Sequence, residues 1–191
     1  MTRPDLTPIE TPRLLLRGWR DSDLPSFAAM NADPAVMRHF PATLSLPESD
    51  ALAQRIRADL DANGWGLWAV EVRGGAEFAG FVGLKRAGFP APFPDWVEIG
   101  WRLAAAHWNR GYATEAARAT LDQAFGPIGL QEVVSFTVPA NAASRRVMEK
   151  LGLRHDPGED FDHPRLPPGH PLRRHVLYRI RAGEWPCRPS R

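Results

Sequence analysis

Apolar and polar positions alternate between two periods along the chain, and the switches between them mark its elements. Leu14-Leu15-Leu16, bounded by Arg13 and Arg17, predicts a short buried strand ending near Trp19. Asp21 stands where an N-cap would, ahead of a helix carrying Leu24, Phe27, Ala28 and Met30. Ser45-Leu46-Pro47-Glu48 has the spacing of a capping box, with proline in the first turn. Leu52, Ile56 and Leu60 follow at i, i+4 and i+8 until Asn63-Gly64 stops that helix. Residues 67–72 and 78–84 read as a hairpin turned at Arg73-Gly74-Gly75. The prolines within 88–94 demand a loop. Beyond it come a strand over 96–103, a glycine-containing turn, and a helix from about 111 to 125. A strand at 133–138, a helix at 141–151 ended by Gly152, and a strand near Leu153 follow. A Pro/Asp/His-rich loop at 156–171 leads to the last strand, 175–180. Hairpins followed by βαβ units predict a mixed sheet in one domain, residues 1–191, with its core at about 12–180. The tail over 182–191 is expected to be loose.

Composition narrows the class of protein. The chain has 191 residues, 43% apolar and 24% charged, in the range of a globular domain large enough to bury a substantial core. Lys85 and Lys150 are the only lysines, so a Schiff-base mechanism has two candidates. A single cysteine, Cys187, excludes an intrachain disulfide and a Cys-cluster metal site, and points to a reducing compartment, the cytoplasm. No apolar run approaches membrane-spanning length, and no apolar leader follows Met1, so neither a membrane nor a secreted protein is expected. A net charge of +2 is too small to argue for direct nucleic-acid binding. The loop motif Asp160-Phe161-Asp162-His163, with His170 and His175, matches no standard metal-ligand spacing, so no metal is assigned.

Two stretches carry chemistry. In Trp108-Asn109-Arg110-Gly111-Tyr112-Ala113-Thr114-Glu115-Ala116 a strand ends, glycine permits a tight turn, and a helix opens with small residues. Free N–H groups and the positive end of a helix dipole then meet at one spot, which suits phosphate. An ordinary strand-to-helix turn is the plainer reading. Farther along, Asn141-Ala142-Ala143-Ser144-Arg145-Arg146-Val147-Met148-Glu149-Lys150-Leu151-Gly152 places an N-cap asparagine ahead of an apolar stripe. Together the stretches resemble the GNAT superfamily of acyl-CoA-dependent N-acetyltransferases, in particular its RimJ/RimL-like branch. There W-x-R-G-Y-A-T-E-A is followed by N-x-x-S-x-x-x-x-x-k-x-G. The resemblance covers about residues 12–178. It implies a mixed, mostly antiparallel α/β (α+β) sheet of about seven strands, splayed between the fourth and fifth and flanked by helices.

The resemblance also assigns residues. It implies that N–H groups across Asn109, Arg110, Gly111, Tyr112, Ala113 and Thr114 hold the pyrophosphate of acetyl-CoA. The strand Trp101-Arg102-Leu103 would run along the pantetheine arm, Asn141 would bond the pantetheine or acetyl region, and Ser144 would lie near the thioester sulfur. The tyrosine with which many members protonate the leaving thiolate falls at Met148, which has no proton to give. An alkylammonium with a pKa of about 10 must lose a proton before attack, so a base is required. Glu98 is the candidate; otherwise it is a solvent-facing strand residue opposite Ile99. Gly100 reads as a bulge that splays the sheet and frees an oxyanion donor. Trp65, Trp68 and Trp101 line the acceptor pocket or belong to the core. Residues 101–154 hold seven basic and four acidic side chains, so the positive excess lies where the cofactor's phosphates would. The carboxylates of 156–162 are expected to face a cationic amine. The acceptor is then a small-molecule amine or a protein N-terminus, and the oligomer a monomer or homodimer. The alternative to an enzyme is an inactive acyl-CoA-binding sensor or interaction module.

Overall fold

The computed structural model describes residues 7–88 and 96–186. Most of the expected proline loop and Cys187 lie outside them. Nine strands form the sheet: β1 (Ile9–Glu10), β2 (Leu14–Arg17), β3 (Leu67–Val72), β4 (Gly80–Arg86), β5 (Val97–Leu103), β6 (Glu132–Thr137), β7 (Arg154–His155), β8 (Phe161–Asp162) and β9 (Arg174–Arg181). Their order is β1-β2-β3-β4-β5-β6-β9-β7, with β8 on β9, and only β5 and β6 are parallel among the described pairs. The mixed, mostly antiparallel sheet is as expected. Its two extra strands, β1 and β8, are two residues each, too short to leave a periodic signature.

The helices are α1 (Leu24–Ala32), α2 (Pro34–Met37), α3 (Leu46–Asn63), α4 (Tyr112–Phe125) and α5 (Ala142–Lys150). The capping box at α3 forms, with Ser45 N–H donating to Glu48 Oε2 at 2.8 Å, and Gly64 ends the helix at φ +73°. Asp21 caps nothing. It opens a 3-10 turn and pairs with Arg57 on α3, while Asp23 fixes the entry to α1. The carboxylate of Asp23, 1% exposed, takes both terminal nitrogens of Arg17 at 2.9 Å. Arg17 also donates to Glu71 and to the carbonyl of Glu77, so this buried pair is fully satisfied. β4 starts at Gly80 rather than at Phe78. One-turn α2, capped by Asp33 Oδ1 accepting from Ala35 N–H, was not anticipated.

Residues in register across antiparallel strands share a face. Ile99, Trp101 and Leu103 of β5 turn with Val82 and Leu84 toward α4 and α5, and Trp101 reaches Ser144 of α5. Glu98, Gly100 and Arg102 turn with Phe81 toward α1 and α3, and Arg102 reaches Asn31 of α1. Beyond the main core, Trp96, Val134, Phe161 and Leu177 form a second, smaller one beneath the 156–173 segment. Residues 182–186, expected to be loose, dock instead. Trp185 is buried, with Nε1 on Asp122 Oδ1 at 2.8 Å and its ring against Phe125.

Candidate active site

β5 pairs with β4 over its whole length but with β6 at a single position, Glu98 with Val134. Past that point the two strands part, leaving a V whose near wall is the edge of β5. This is the expected splay between the fourth and fifth predicted strands. The expected bulge at Gly100 is absent: the β4–β5 register runs without a slip from Gly80–Leu103 to Arg86–Val97. What Gly100 contributes is an open floor, since a Cβ there would meet only Glu98 Oε1, at 3.6 Å.

The loop after β5 leads directly to α4. Trp108 Nε1 is tied to the Leu103 carbonyl at 2.8 Å, and Asn109 (φ +59°) and Gly111 (φ +79°) both adopt left-handed backbone around Arg110. Asparagine tolerates that region and glycine suits it. Gly111 offers no side-chain cap, and the first helical bond is Glu115 N–H to Gly111 O, at 3.0 Å. The N–H groups of Tyr112, Ala113 and Thr114 therefore lie ahead of the ladder at the positive end of the helix. Glu115 pins this turn to the other end of the sheet, accepting from Arg13 N–H, Arg13 Nε and Thr11 Oγ1 at 2.9, 2.6 and 2.7 Å. Burial pushes its carboxyl up, but those hydrogen bonds and the charge of Arg13 outweigh that and hold it below the usual range. Arg13 also donates to the Arg110 carbonyl. A cleft of about 520 Å³ opens beside the turn, and its lining mixes Arg13, Arg118 and Lys150 with Glu10, Glu115 and Asp122.

α5 begins across the V from β5. Asn141 Oδ1 accepts from Ser144 N–H at 3.2 Å, and its Nδ2 donates to Thr137 Oγ1 at 3.0 Å, so the asparagine is an N-cap. Ser144 Oγ accepts from Trp101 Nε1 at 3.3 Å and so stands over β5. On the opposite face Glu98 is buried, not solvent-facing, with Oε2 at 3.0 Å from Lys85 Nζ. Burial raises its pKa above the usual carboxylate value, and Lys85 pulls in the other direction. His163 lies near enough to Lys85 to feel its charge; burial above all, then His175, Arg165 and Lys85, lower its pKa to about 4.

The descriptions of known proteins agree with this geometry. Residues 13–154 match the family model described as an acetyltransferase (GNAT) domain. The chain belongs to the GNAT acetyltransferase family. An FsC-acetyl coenzyme A-N(2)-transacetylase from Aspergillus fumigatus is 32% identical over 171 residues, 82% of this chain and 68% of that protein. A GNAT-family acetyltransferase from Bacillus anthracis superposes with a TM-score of 0.76 at 26% identity, over 93% of this chain and 100% of that one. Mycobacterium smegmatis RimJ, solved with CoA-disulfide, shares the fold at a TM-score of 0.74 and 21% identity, over 98% of this chain and 93% of that one.

Within this acetyltransferase, Met148 at the expected tyrosine position is a core residue, 1% exposed. The hydroxyl of Tyr178 does not replace it: it donates to Glu149 and accepts from Arg145 on the outer side of α5. Three of the 156–162 carboxylates are engaged by cationic or N–H partners, while Asp156 is exposed and accepts from Gly158 N–H. Glu159 pairs with Arg179, Asp160 with His155 and the Leu177 N–H, and Asp162 with Arg173 and Arg174. Trp68 is core. Sequence reasoning missed Lys85 as the partner of Glu98; its position directly opposite in a hairpin register was the available signal. It also missed where the Arg102 side chain goes: only the backbone of 101–103 borders the V, while Trp101 and Arg102 project to opposite faces.

Proposed function

We propose that this chain is a single-domain, acetyl-CoA-dependent N-acetyltransferase of the RimJ/RimL-like branch, acting in the cytoplasm on a primary amine by direct attack in a ternary complex. The observation that carries the reading is Glu98, a buried carboxylate beside the point where β5 and β6 part. The N–H groups ahead of α4 suit the cofactor's pyrophosphate, with Arg118 and Lys150 nearby, and the unladdered edge of β5 suits its amide-bearing arm. The ammonium of the acceptor gives its proton to Glu98, directly or through a water, and the freed nitrogen attacks the thioester carbonyl. The C–S bond then breaks and the C–N bond remains; the attached nitrogen gives up its surplus proton as the departing thiolate takes one up. Ser144 Oγ, over β5, is the group that would hydrogen-bond the departing sulfur. A carboxylate whose pKa burial has raised is the stronger base, and Lys85 works against that rise by favouring the ionised form.

Release of CoA over a panel of amines tests the reading. Glu98→Gln is expected to lower kcat by about 10²- to 10⁴-fold; unaltered turnover removes Glu98 as base. The rate should fall on the acid side as Glu98 protonates, above the usual carboxylate value. Lys85→Met should move that limb to higher pH, since Lys85 pulls the Glu98 pKa down. Met148, where a proton donor was expected, favours a second reading: an acyl-CoA-binding module without chemistry. Tight acetyl-CoA binding with no turnover of any amine would decide for it.

A further inference from the structure

We infer that Arg102 is an anion anchor in the acceptor cleft, so the amine acetylated here also carries a carboxylate. This rests on the transferase reading and names its acceptor class. Arg102 leaves β5 on the same face as Glu98 and Gly100. Its guanidinium lies 4.2 Å from the ring centroid of Phe40 and 5.4 Å from that of Phe81. One terminal nitrogen donates to Asn31 Oδ1 at 2.6 Å, and Asn31 is itself fixed by donating to Ser49 Oγ at 2.9 Å. Nε is buried and has no hydrogen-bond partner. The guanidinium is therefore held through one terminal nitrogen while Nε stays an unspent buried donor, which a small rotation of the side chain would present to a carboxylate.

The charge is as unusual as the geometry. The other well-buried arginines are neutralised: Arg17 by Asp23 and Glu71, Arg179 by Glu132 and Glu159. No carboxylate among the described residues pairs with Arg102, and burial alone depresses its pKa to about 10. A desolvated cation without a counter-ion is costly to keep, and an arriving anion would relieve that cost. The cofactor's phosphates are poor candidates for that anion, because the α4 turn follows the other end of the loop and the Arg102 side chain faces α1. Between base and arginine the floor is clear: Gly100 stands opposite Gly83 in the register, and Glu98 Oε1 leans over Gly100. Gly100 and Arg102 are two strand positions apart, about 7 Å. An amine and a carboxylate separated by a short chain fit that spacing better than an α-amino acid does.

The test uses the full chain with acetyl-CoA and three acceptors differing only at the far end: 5-aminopentanoate, its methyl ester and pentylamine. CoA release gives kcat/KM for each, and calorimetry on the CoA complex gives their binding. The expected result is a preference for the acid over the ester of at least about tenfold, collapsing toward one in Arg102→Gln and only partly restored in Arg102→Lys. Acetyl-CoA binding by each variant confirms that it has folded. Equal turnover of acid and ester by the wild type, or a preference that survives in the Gln variant, overturns the anchor and leaves the transferase reading standing. Arg102-dependent binding of the acid with no CoA release from any amine supports the anchor and overturns the transferase reading. Neither turnover nor a binding preference overturns both.

Discussion

Two helices start on either side of the V, and they start differently. α5 opens on Asn141, whose side chain spends both its amide groups on the chain itself, on Ser144 N–H and Thr137 Oγ1. α4 opens on Gly111, which has no side chain, a left-handed backbone and no cap. Orphan N–H groups at a helix start are normally satisfied by a capping side chain, water or a ligand. The first helix is closed by its own residue; the second is left for something else. Around that open end the structure is firmly held, by Trp108 on Leu103 and by Glu115 on Thr11 and Arg13. An uncapped helix start in a rigid setting is what a preorganised phosphate site requires.

Putting a side chain at the open end should give the largest effect. At φ +79° a β-branched residue is strained, and its Cβ would sit 3.3 Å from Arg13 Nη2. Gly111→Val should therefore lose about 1–2 kcal/mol of stability and screen the N–H groups of 112–114. Calorimetry with acetyl-CoA should show affinity falling by about tenfold or more. Affinity that stays at the wild-type level would mean the open end of α4 is not where the cofactor's phosphates bind.

The contrast between these helix starts was partly legible in the sequence. Gly111 after a strand and Asn141 ahead of an apolar stripe are local signals, and both were read correctly as helix starts. The long periodic segments were equally clear: α3 with its capping box, α4, β5, β6 and β9. What was illegible depends on contacts distant in sequence. Glu98 is buried with Lys85 Nζ 3.0 Å away, which strand alternation does not reveal. Glu159 and Asp162 looked available because their arginine partners at 173, 174 and 179 lie on or just ahead of β9. Arg102 is the converse case. One arginine among many in the sequence, it is distinguished only by the acids that the fold fails to bring to it.

A smaller effect is expected at the closed end. Asn141→Ala removes the bond to Ser144 N–H and leaves Thr137 Oγ1 without its donor, a loss of about 1 kcal/mol measurable by urea unfolding. If Asn141 is only a cap, acetyl-CoA affinity should change far less than in Gly111→Val. Comparable losses in the two variants would mean that its amide also reaches the cofactor, as the family resemblance implies, and that α5 is not closed after all.

The smallest effect separates backbone from side chain at the open end itself. Asn109 shares the left-handed conformation of Gly111, at φ +59°, but brings an amide with it. In Asn109→Gly the new residue adopts this conformation at least as readily, while the unfolded chain gains freedom. The two effects oppose one another, so stability should move by no more than about 0.5 kcal/mol. If the loop binds through its N–H groups alone, acetyl-CoA affinity should stay within about twofold, because the backbone path is preserved. A larger loss by calorimetry would assign the Asn109 amide a contact of its own. The open helix start would then be completed by a side chain from the residue before Arg110, and the difference between α4 and α5 would be one of position rather than of kind.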